Sequence, residues 1–234
     1  MRRSLAALLI CLAALAATAA RAEELPRSTL VFGADDRRMA GDLPAAIGRL
    51  NVAGFAKRTQ CSGTLIAPDI VATAAHCVLD RATGKPVAAA RLHFLAGLGP
   101  DGHEAHGQGR CIRLPDDKAD VALVRLARAL PIKPIALLHT PLAAGDAVTH
   151  AGYALDRPYA VSAHRDCHVL RPQGGMLLTD CDTNHGQSGG PLLARRDGTD
   201  FLAGIMVGVA PGKYSAAVSV PAWKAMLETP VCPR

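Results

Sequence analysis

Residues 186–191 read Gly186-Gln187-Ser188-Gly189-Gly190-Pro191, and far upstream stands Thr73-Ala74-Ala75-His76-Cys77. These segments constrain the fold more than any other feature, because each is useful to the other only if the chain brings them together. A serine hydroxyl is almost fully protonated at neutral pH and attacks carbonyl carbon poorly. An imidazole beside it can take its proton, and that imidazole needs a group to hold it in place. Glycines around Ser188 suit a sharp turn, since they tolerate backbone angles that other residues resist.

In such a turn the N–H groups of Gly186 and Ser188 can point at one spot, where the negative oxygen of an attacked carbonyl would sit. Taken alone, the pentapeptide also fits a glycine-rich hairpin turn with an exposed serine. His76 alone also fits a core histidine, but it ends the apolar run Val71-Ala72-Thr73-Ala74-Ala75. A Cys61–Cys77 disulfide would anchor the backbone beside it, a loop worth about 3 kcal/mol in the chain-entropy model. The third member must be a carboxylate. Asp120 directly precedes the apolar run Val121-Ala122-Leu123-Val124, so it can stand at the mouth of a core, whereas Asp116 and Asp117 lie in a polar turn.

Gly186-x-Ser188-x-Gly190 also fits the nucleophile elbow of α/β-hydrolases, which places its acid and histidine after the serine. Only 46 residues follow Ser188 and none is histidine, so that fold is excluded. The order His76, Asp120, Ser188 and the segments around them resemble the trypsin-like (chymotrypsin-fold) serine proteases of the bacterial secreted kind. Asp120-Val121-Ala122-Leu123 and Gly186-x-Ser188-Gly189-Gly190-Pro191-Leu192 carry the likeness with the histidine segment, and Cys61-Ser62-Gly63-Thr64-Leu65-Ile66 resembles the strand before it. Gly33-Ala34-Asp35-Asp36-Arg37 is similar to the N-terminal stretch of glutamyl-endopeptidase-like members. The resemblance runs over residues 31–228.

The N-terminus reads as an export signal. Arg2 and Arg3 precede an apolar stretch from Leu5 to Ala20, and Ala20-Arg21-Ala22 has a small-x-small cleavage form, making Glu23 the first mature residue. The run is too short to span a bilayer, so no stable membrane insertion is expected after its removal. Secreted or periplasmic location follows. Cleavage removes Arg2, Arg3 and Arg21 and no acid, which lowers the net charge from +6 to +3. That mild charge, with 3 % aromatics, argues against a nucleic-acid partner. A polypeptide substrate and a monomer are expected.

Cleavage also removes Cys11 and leaves six of seven cysteines, which reads as three disulfides in an exported chain. Cys61 pairs with Cys77 from the motif. Cys167 and Cys181 bracket a hairpin over 169–179, and Cys111 is left for Cys232. His103-x-x-His106 and His164-x-x-x-His168 have metal-like spacing but no acidic or cysteine partner set, so no metal and no cofactor are expected.

Helical periodicity is scarce. Short apolar runs at 64–66, 70–73, 91–95, 121–126, 148–153, 176–179, 191–194 and 201–209 alternate with Gly, Pro and Asp, which argues an all-β barrel or sandwich. The resemblance implies two six-stranded antiparallel Greek-key barrels packed face to face, with a short C-terminal helix. We assign 1–22 to the signal and 23–43 to an N-terminal segment. Residues 44–130 form the first lobe, with His76 and Asp120. Residues 131–140 connect it to a second lobe at 141–218, with Ser188. Residues 219–234 form a helix and tail, with Ser219 as cap and Pro221 in the first turn.

Gln187 is neutral where animal digestive members carry an aspartate that pairs with a new N-terminal ammonium, so activation of that kind is not expected. Arg37-Arg38 is read as a solvated turn, with cleavage beside it as the alternative. Asp182, six residues before Ser188, matches the pocket aspartate of trypsins and could meet a basic substrate side chain. The alternative is an Asp182-Thr183 turn that supports the loop. Residues 204–209 contain no histidine, which disfavours glutamate specificity. By resemblance, Thr183, Val207 and Gly208 line the pocket. The expected protein is a secreted serine endopeptidase. In it Ser188 attacks, His76 is the base, Asp120 orients His76, and Gly186 and Ser188 form the oxyanion hole. The alternatives are a non-catalytic exported binding protein on the same fold, or an esterase using the same triad.

Overall fold

A computed structural model describes residues 33–53, 59–116 and 119–232. The signal segment with Cys11 and its cleavage site lies outside the described residues. The remainder is almost entirely strand. The first barrel holds β2 (Ile47–Val52), β3 (Thr59–Ala67), β4 (Ile70–Thr73), β5 (Leu92–Ala96), β6 (Ala105–Arg113) and β7 (Ala122–Leu126). They close in the order β2-β3-β4-β7-β6-β5, all antiparallel, with β5 returning to β2.

The second barrel holds β8 (Ala147–Gly152), β9 (Ser162–Gln173), β10 (Met176–Thr179), β11 (Pro191–Arg196), β12 (Thr199–Ala210) and β13 (Tyr214–Ser219). It closes in the order β9-β10-β13-β12-β11-β8, with β8 pairing β9. A two-residue strand, β1 (Arg38–Met39), pairs with the start of β9 on its outside. The two six-stranded barrels agree with the expected fold class.

The barrels are filled by the inward members of alternating strands. Leu65, Phe94 and Val124 are buried in the first, and Val148, Val169 and Leu192 in the second. Each such side chain contributes about 1.5–3 kcal/mol by leaving water. The eight apolar runs read from the sequence fall within β3, β4, β5, β7, β8, β10, β11 and β12. The hairpin expected over 169–179 is the end of β9 with β10, whereas β2, β6, β13 and the first part of β9 escaped the sequence reading. In β6, Gly107 and Gly109 break the apolar pattern because the Leu126 side chain and the Ala89 carbonyl occupy the space a Cβ would need.

The connection between barrels runs along both: Ile135 N–H donates to Leu65 O (3.0 Å) and Leu138 N–H to Leu202 O (2.8 Å), with Leu137 bridging Leu202 in parallel. The C-terminal helix is shorter than expected. α1 (Val220–Trp223) is one turn, followed by a 3-10 turn over Lys224–Leu227, and it packs Trp223 and Met226 inward. Ser219 does not cap it. Its hydroxyl donates to Gly175 O (2.9 Å), because β13 runs beside the Gly174-Gly175 turn of the β9–β10 hairpin.

Disulfides join Cys61 to Cys77, Cys167 to Cys181 and Cys111 to Cys232. The last ties the tail to β6 across 121 residues of chain. Replacing Cys111 and Cys232 together by alanine is expected to destabilise the fold by about 2–4 kcal/mol, read as a lower melting temperature. Cys61–Cys77 should survive, as checked by non-reducing peptide mapping.

Candidate active site

The β4–β7 register places Thr73 opposite Ala122. Three residues beyond Thr73 lies His76, and two before Ala122 lies Asp120, so strand pairing alone brings them to one end of the barrel. A 3-10 turn over Ala75–Cys77 buries Ala75 and Cys77 and leaves His76 exposed, with Cys77 fixed to β3 by its disulfide. Asp120 grips the histidine at two points. Oδ1 accepts the His76 backbone N–H (2.9 Å) and Oδ2 lies 2.7 Å from Nδ1.

Burial alone would favour the neutral carboxyl of Asp120. The His76 ring and backbone hydrogen bonds, the ring's charge and the Ala75 amide outweigh it and hold the carboxyl below its ordinary range. An ionised carboxylate only accepts, so Nδ1 donates and the neutral ring keeps its lone pair on Nε2.

Ser188 lies in the loop between β10 and β11. Gln187 N–H donates to Asn184 O (3.0 Å) and Gly190 N–H to Gln187 O (2.9 Å), giving two successive turns. Gly189 N–H to Met206 O (2.7 Å) and Met206 N–H to Gly190 O (2.9 Å) stitch them to β12. Ser188 is half-buried between buried neighbours on both sides.

Gly189 has φ +82° and no room for a Cβ, which would overlap Thr73 Oγ1 and Ser62 O and come within 3.0 Å of Ala74 N. The serine loop therefore rests directly on the two residues that lead into the histidine turn. Ser62 N–H donates to Ser188 O (2.8 Å) and the Thr73 hydroxyl to Ser62 O (2.7 Å), which closes the seam.

The peptide before Gly186 is also fixed. Leu155 N–H donates to His185 O (2.8 Å), and a trans peptide turns the Gly186 N–H the opposite way. The Ser62 hydroxyl donates to Gly186 O (3.0 Å) and accepts from Tyr153 N–H (2.8 Å). Gly186 has φ +92°, and a Cβ there would lie 2.6 Å from Tyr153 O.

Sequence reasoning missed Ser62, Tyr153 and Leu155. Ser62 does stand in the segment quoted for its family likeness, and that position was the one available signal.

The residues expected to meet substrate divide into two groups. Val207 and Gly208 follow Met206 on β12, beside the serine loop, and both are partly exposed, with open space where a Gly208 Cβ would be. Asp182, expected to face a substrate cation, is 1 % exposed, and its Oδ2 accepts the Asp36 N–H (2.9 Å). Its own N–H donates to His164 Nδ1 (2.8 Å). Asp36, His164 and Asp182 lie close enough to suggest a metal, but that Nδ1 lone pair is already engaged.

Thr183 is buried, with Oγ1 3.1 Å from His150 Nε2. His150 Nδ1 faces Pro191 O (3.2 Å), so the neutral ring donates from Nδ1 and accepts the threonine hydroxyl at Nε2. Full burial pushes His150 down to about 4.

Arg37-Arg38 is not the solvated turn the sequence suggests. Arg38 is exposed, but Arg37 is fully buried, because Asp35, Asp156 and Gln187 surround its guanidinium.

The family model described as "Trypsin-like peptidase domain" matches residues 61–205. The chain belongs to the trypsin-like peptidase family. Among solved structures, a Glu endopeptidase in complex with MPD aligns with a TM-score of 0.73 at 17 % identity. The alignment covers 85 % of this chain and 98 % of that one, a likeness of fold. No curated protein matches the sequence. As a trypsin-like peptidase, the chain keeps its His76–Asp120 pair in one barrel and the Ser188 loop in the other, with Ser62 and Gly189 at the join.

Gly189→Ala is expected to cost more than about 2 kcal/mol, from the strained backbone angle and the overlap with Thr73 and Ser62, and to abolish activity. Calorimetry and turnover check both. His150 gives a pH signature. Its folded value, about 4, lies below its ordinary 6.5, so the unfolded chain takes up the proton first. Stability is therefore full above the ordinary value, falls as pH drops toward 4, and loses about 3 kcal/mol in total. His150→Gln should flatten that slope in denaturant titrations across the window.

Proposed function

We propose that the protein is an exported serine endopeptidase. Ser188 is the nucleophile, His76 the general base and Asp120 the group that orients the ring. The observation that carries this reading is the two-point grip of Asp120 on His76. It leaves Nε2 free at the end of the barrel against which the Ser188 loop packs.

In this reading the Ser188 oxygen bonds to the peptide carbonyl carbon while its proton passes to His76 Nε2. The carbonyl oxygen takes the negative charge, received by the N–H groups of Gly186 and Ser188. Collapse breaks the C–N bond, and His76 gives the proton to the leaving amine. An ester to Ser188 remains. Water, deprotonated by His76, hydrolyses it and restores the hydroxyl. The tie between His185 O and Leu155 supports the oxyanion role, since it directs the Gly186 N–H away from that bond.

Val207 and Gly208 hold the substrate backbone in this proposal. Asp182 is committed to Asp36 and Thr183 to His150, so they shape the pocket wall rather than present a charge. Three disulfides support an oxidising compartment. Among the described residues no helix is long and apolar enough to cross a membrane.

The test is a serine-directed phosphonate probe read by mass spectrometry, followed by digestion of a peptide library. Ser188 should be labelled in the native protein and not after His76→Ala. Asp120→Asn should lower kcat by about 10³–10⁴-fold with the fold retained. Folded protein that resists the probe sinks the reading, and turnover of esters alone makes it an esterase. Cuts confined to Arg and Lys, and lost with Asp182→Ala, would overturn the uncharged pocket.

A further inference from the structure

Arg37 stands fully buried at the edge of the second barrel, just before β1. A guanidinium has five N–H donors, and burial demands a partner for each. All five are met. Nε donates to Asp35 Oδ1 (3.0 Å), and one terminal nitrogen donates to Asp35 Oδ2 and Asp156 Oδ2 (both 2.9 Å). The other terminal nitrogen donates to Asp156 Oδ1 and to Gln187 Oε1 (both 3.3 Å). Arg157 stands 3.5 Å from Asp35, so two arginines balance two aspartates.

Gln187 is the one neutral group in this set, and it immediately precedes Ser188. Its Oε1 also accepts the Asn184 N–H (2.9 Å), and its Nε2 donates to Ser162 O (3.3 Å). The side chain thus holds the first of the two turns that carry the serine, from Asn184 to Gln187. A carboxylate at 187 would place a third negative charge beside Asp35 and Asp156. A glutamine accepts from the same cation and still donates to β9.

The N-terminal segment is bound in turn, by Asp36 N–H to Asp182 Oδ2 (2.9 Å) and by β1 pairing with Ala163 and Ser162. Ser162 receives both Gln187 Nε2 and the β1 pairing, so segment and loop meet on one residue.

We propose that Arg37 is a positioning residue that locks the Asn184–Gln187 turn, and with it the Gly186 and Ser188 amides, from within the continuous chain. The cation needs no newly cut terminus. Its supplier is the side chain of a residue that must stay attached, so a mature chain that starts beyond Arg37 has no lock. The inference rests on the peptidase reading for its kinetic test, but the lock itself has a readout that needs no turnover.

The test compares Arg37→Met, Gln187→Met, their combination and Arg37→Lys in the full chain. Melting temperature and disulfide mapping establish folding. Each methionine variant should lower kcat by about 100-fold, as loss of oxyanion alignment does, with KM changed by less than about threefold. The double variant should be no worse than the poorer single, since both break the same Arg37–Gln187 contact. Arg37→Lys, which keeps charge without the fork, should recover part of the rate. Amide hydrogen exchange of residues 184–190 should rise in every variant that loses rate.

A folded Arg37→Met enzyme with kcat within about twofold of the parent overturns the proposal. So do losses that multiply in the double variant. Should Arg37→Met fail to fold, Gln187→Met decides alone, because it leaves the Arg37–Asp35–Asp156 cluster complete. If the parent resists the phosphonate, the peptidase reading fails. The exchange rates still judge the lock: unchanged protection at 184–190 in a folded Gln187→Met protein overturns it.

Discussion

The join between the two barrels rests on a contact that leaves no space for a side chain. Gly189 lies against Thr73 Oγ1 and the Ser62 carbonyl, and Ser62 N–H bonds the Ser188 carbonyl (2.8 Å). Protein interiors are packed densely enough that neighbours cannot yield by half an ångström without cost. Position is therefore transmitted across the seam. A shift of the serine loop moves Thr73 and Ala74, and these lead into the turn that presents His76. Ser62 adds a second link, because its hydroxyl bonds both Gly186 O and Tyr153 N–H. Tyr153 in turn reaches back to the first barrel through its hydroxyl and Leu98 O (3.0 Å). Burial raises the pKa of that phenol, which favours its role as a donor.

Burial sets the charge state of each polar group near the site, and it acts differently on each. His150 is buried with only neutral acceptors and a hydroxyl, so it is held neutral. Asp120 is partly buried, but it has two donors from His76 and so remains charged. Arg37 is buried most deeply of the cations and stays charged because two carboxylates face it. A carboxylate near His76 with no charge beyond it would orient the ring less firmly in water than here, since local screening falls with burial. Arg37 and Asp120 are thus kept charged by matched partners, and His150, which lacks one, is discharged.

Residues proposed to carry the chemistry were easier to read than the scaffold that holds them. His76, Asp120 and Ser188 stand in short segments whose neighbours serve them directly, and the order along the chain excluded the main competing fold. The central strands were legible because their apolar runs are continuous. The first part of β9 was not: most of its outward residues are charged or polar, and after Ser162 only Ala163, Cys167 and Val169 are buried. Arg37 misled for a similar reason. A dibasic pair reads as solvated when only its neighbours are known, yet Asp156 and Gln187 lie 119 and 150 residues away. Asp182 was read with two alternatives, a pocket charge or a loop support, and its burial against the Asp36 amide favours the second. Spacing gave its place in the loop but not which segment would reach its carboxylate first.

The position of the N-terminal segment follows from the same logic. The second barrel has closed its own hydrogen bonds through β8 and β9, so β1 adds only a two-residue edge pairing. Such a short pairing is weak by itself. The segment is held instead by the Arg37 side chain, which reaches Asp156 and Gln187, and by the Asp36 backbone amide, which donates to Asp182. Gln187 and Asp182 flank the serine, one residue and six residues before it. The part of the segment's binding that runs through that loop must stabilise the loop by the same free energy, because the coupling between two contacts is reciprocal. The order of the serine turn and the docking of the N-terminal segment are therefore coupled.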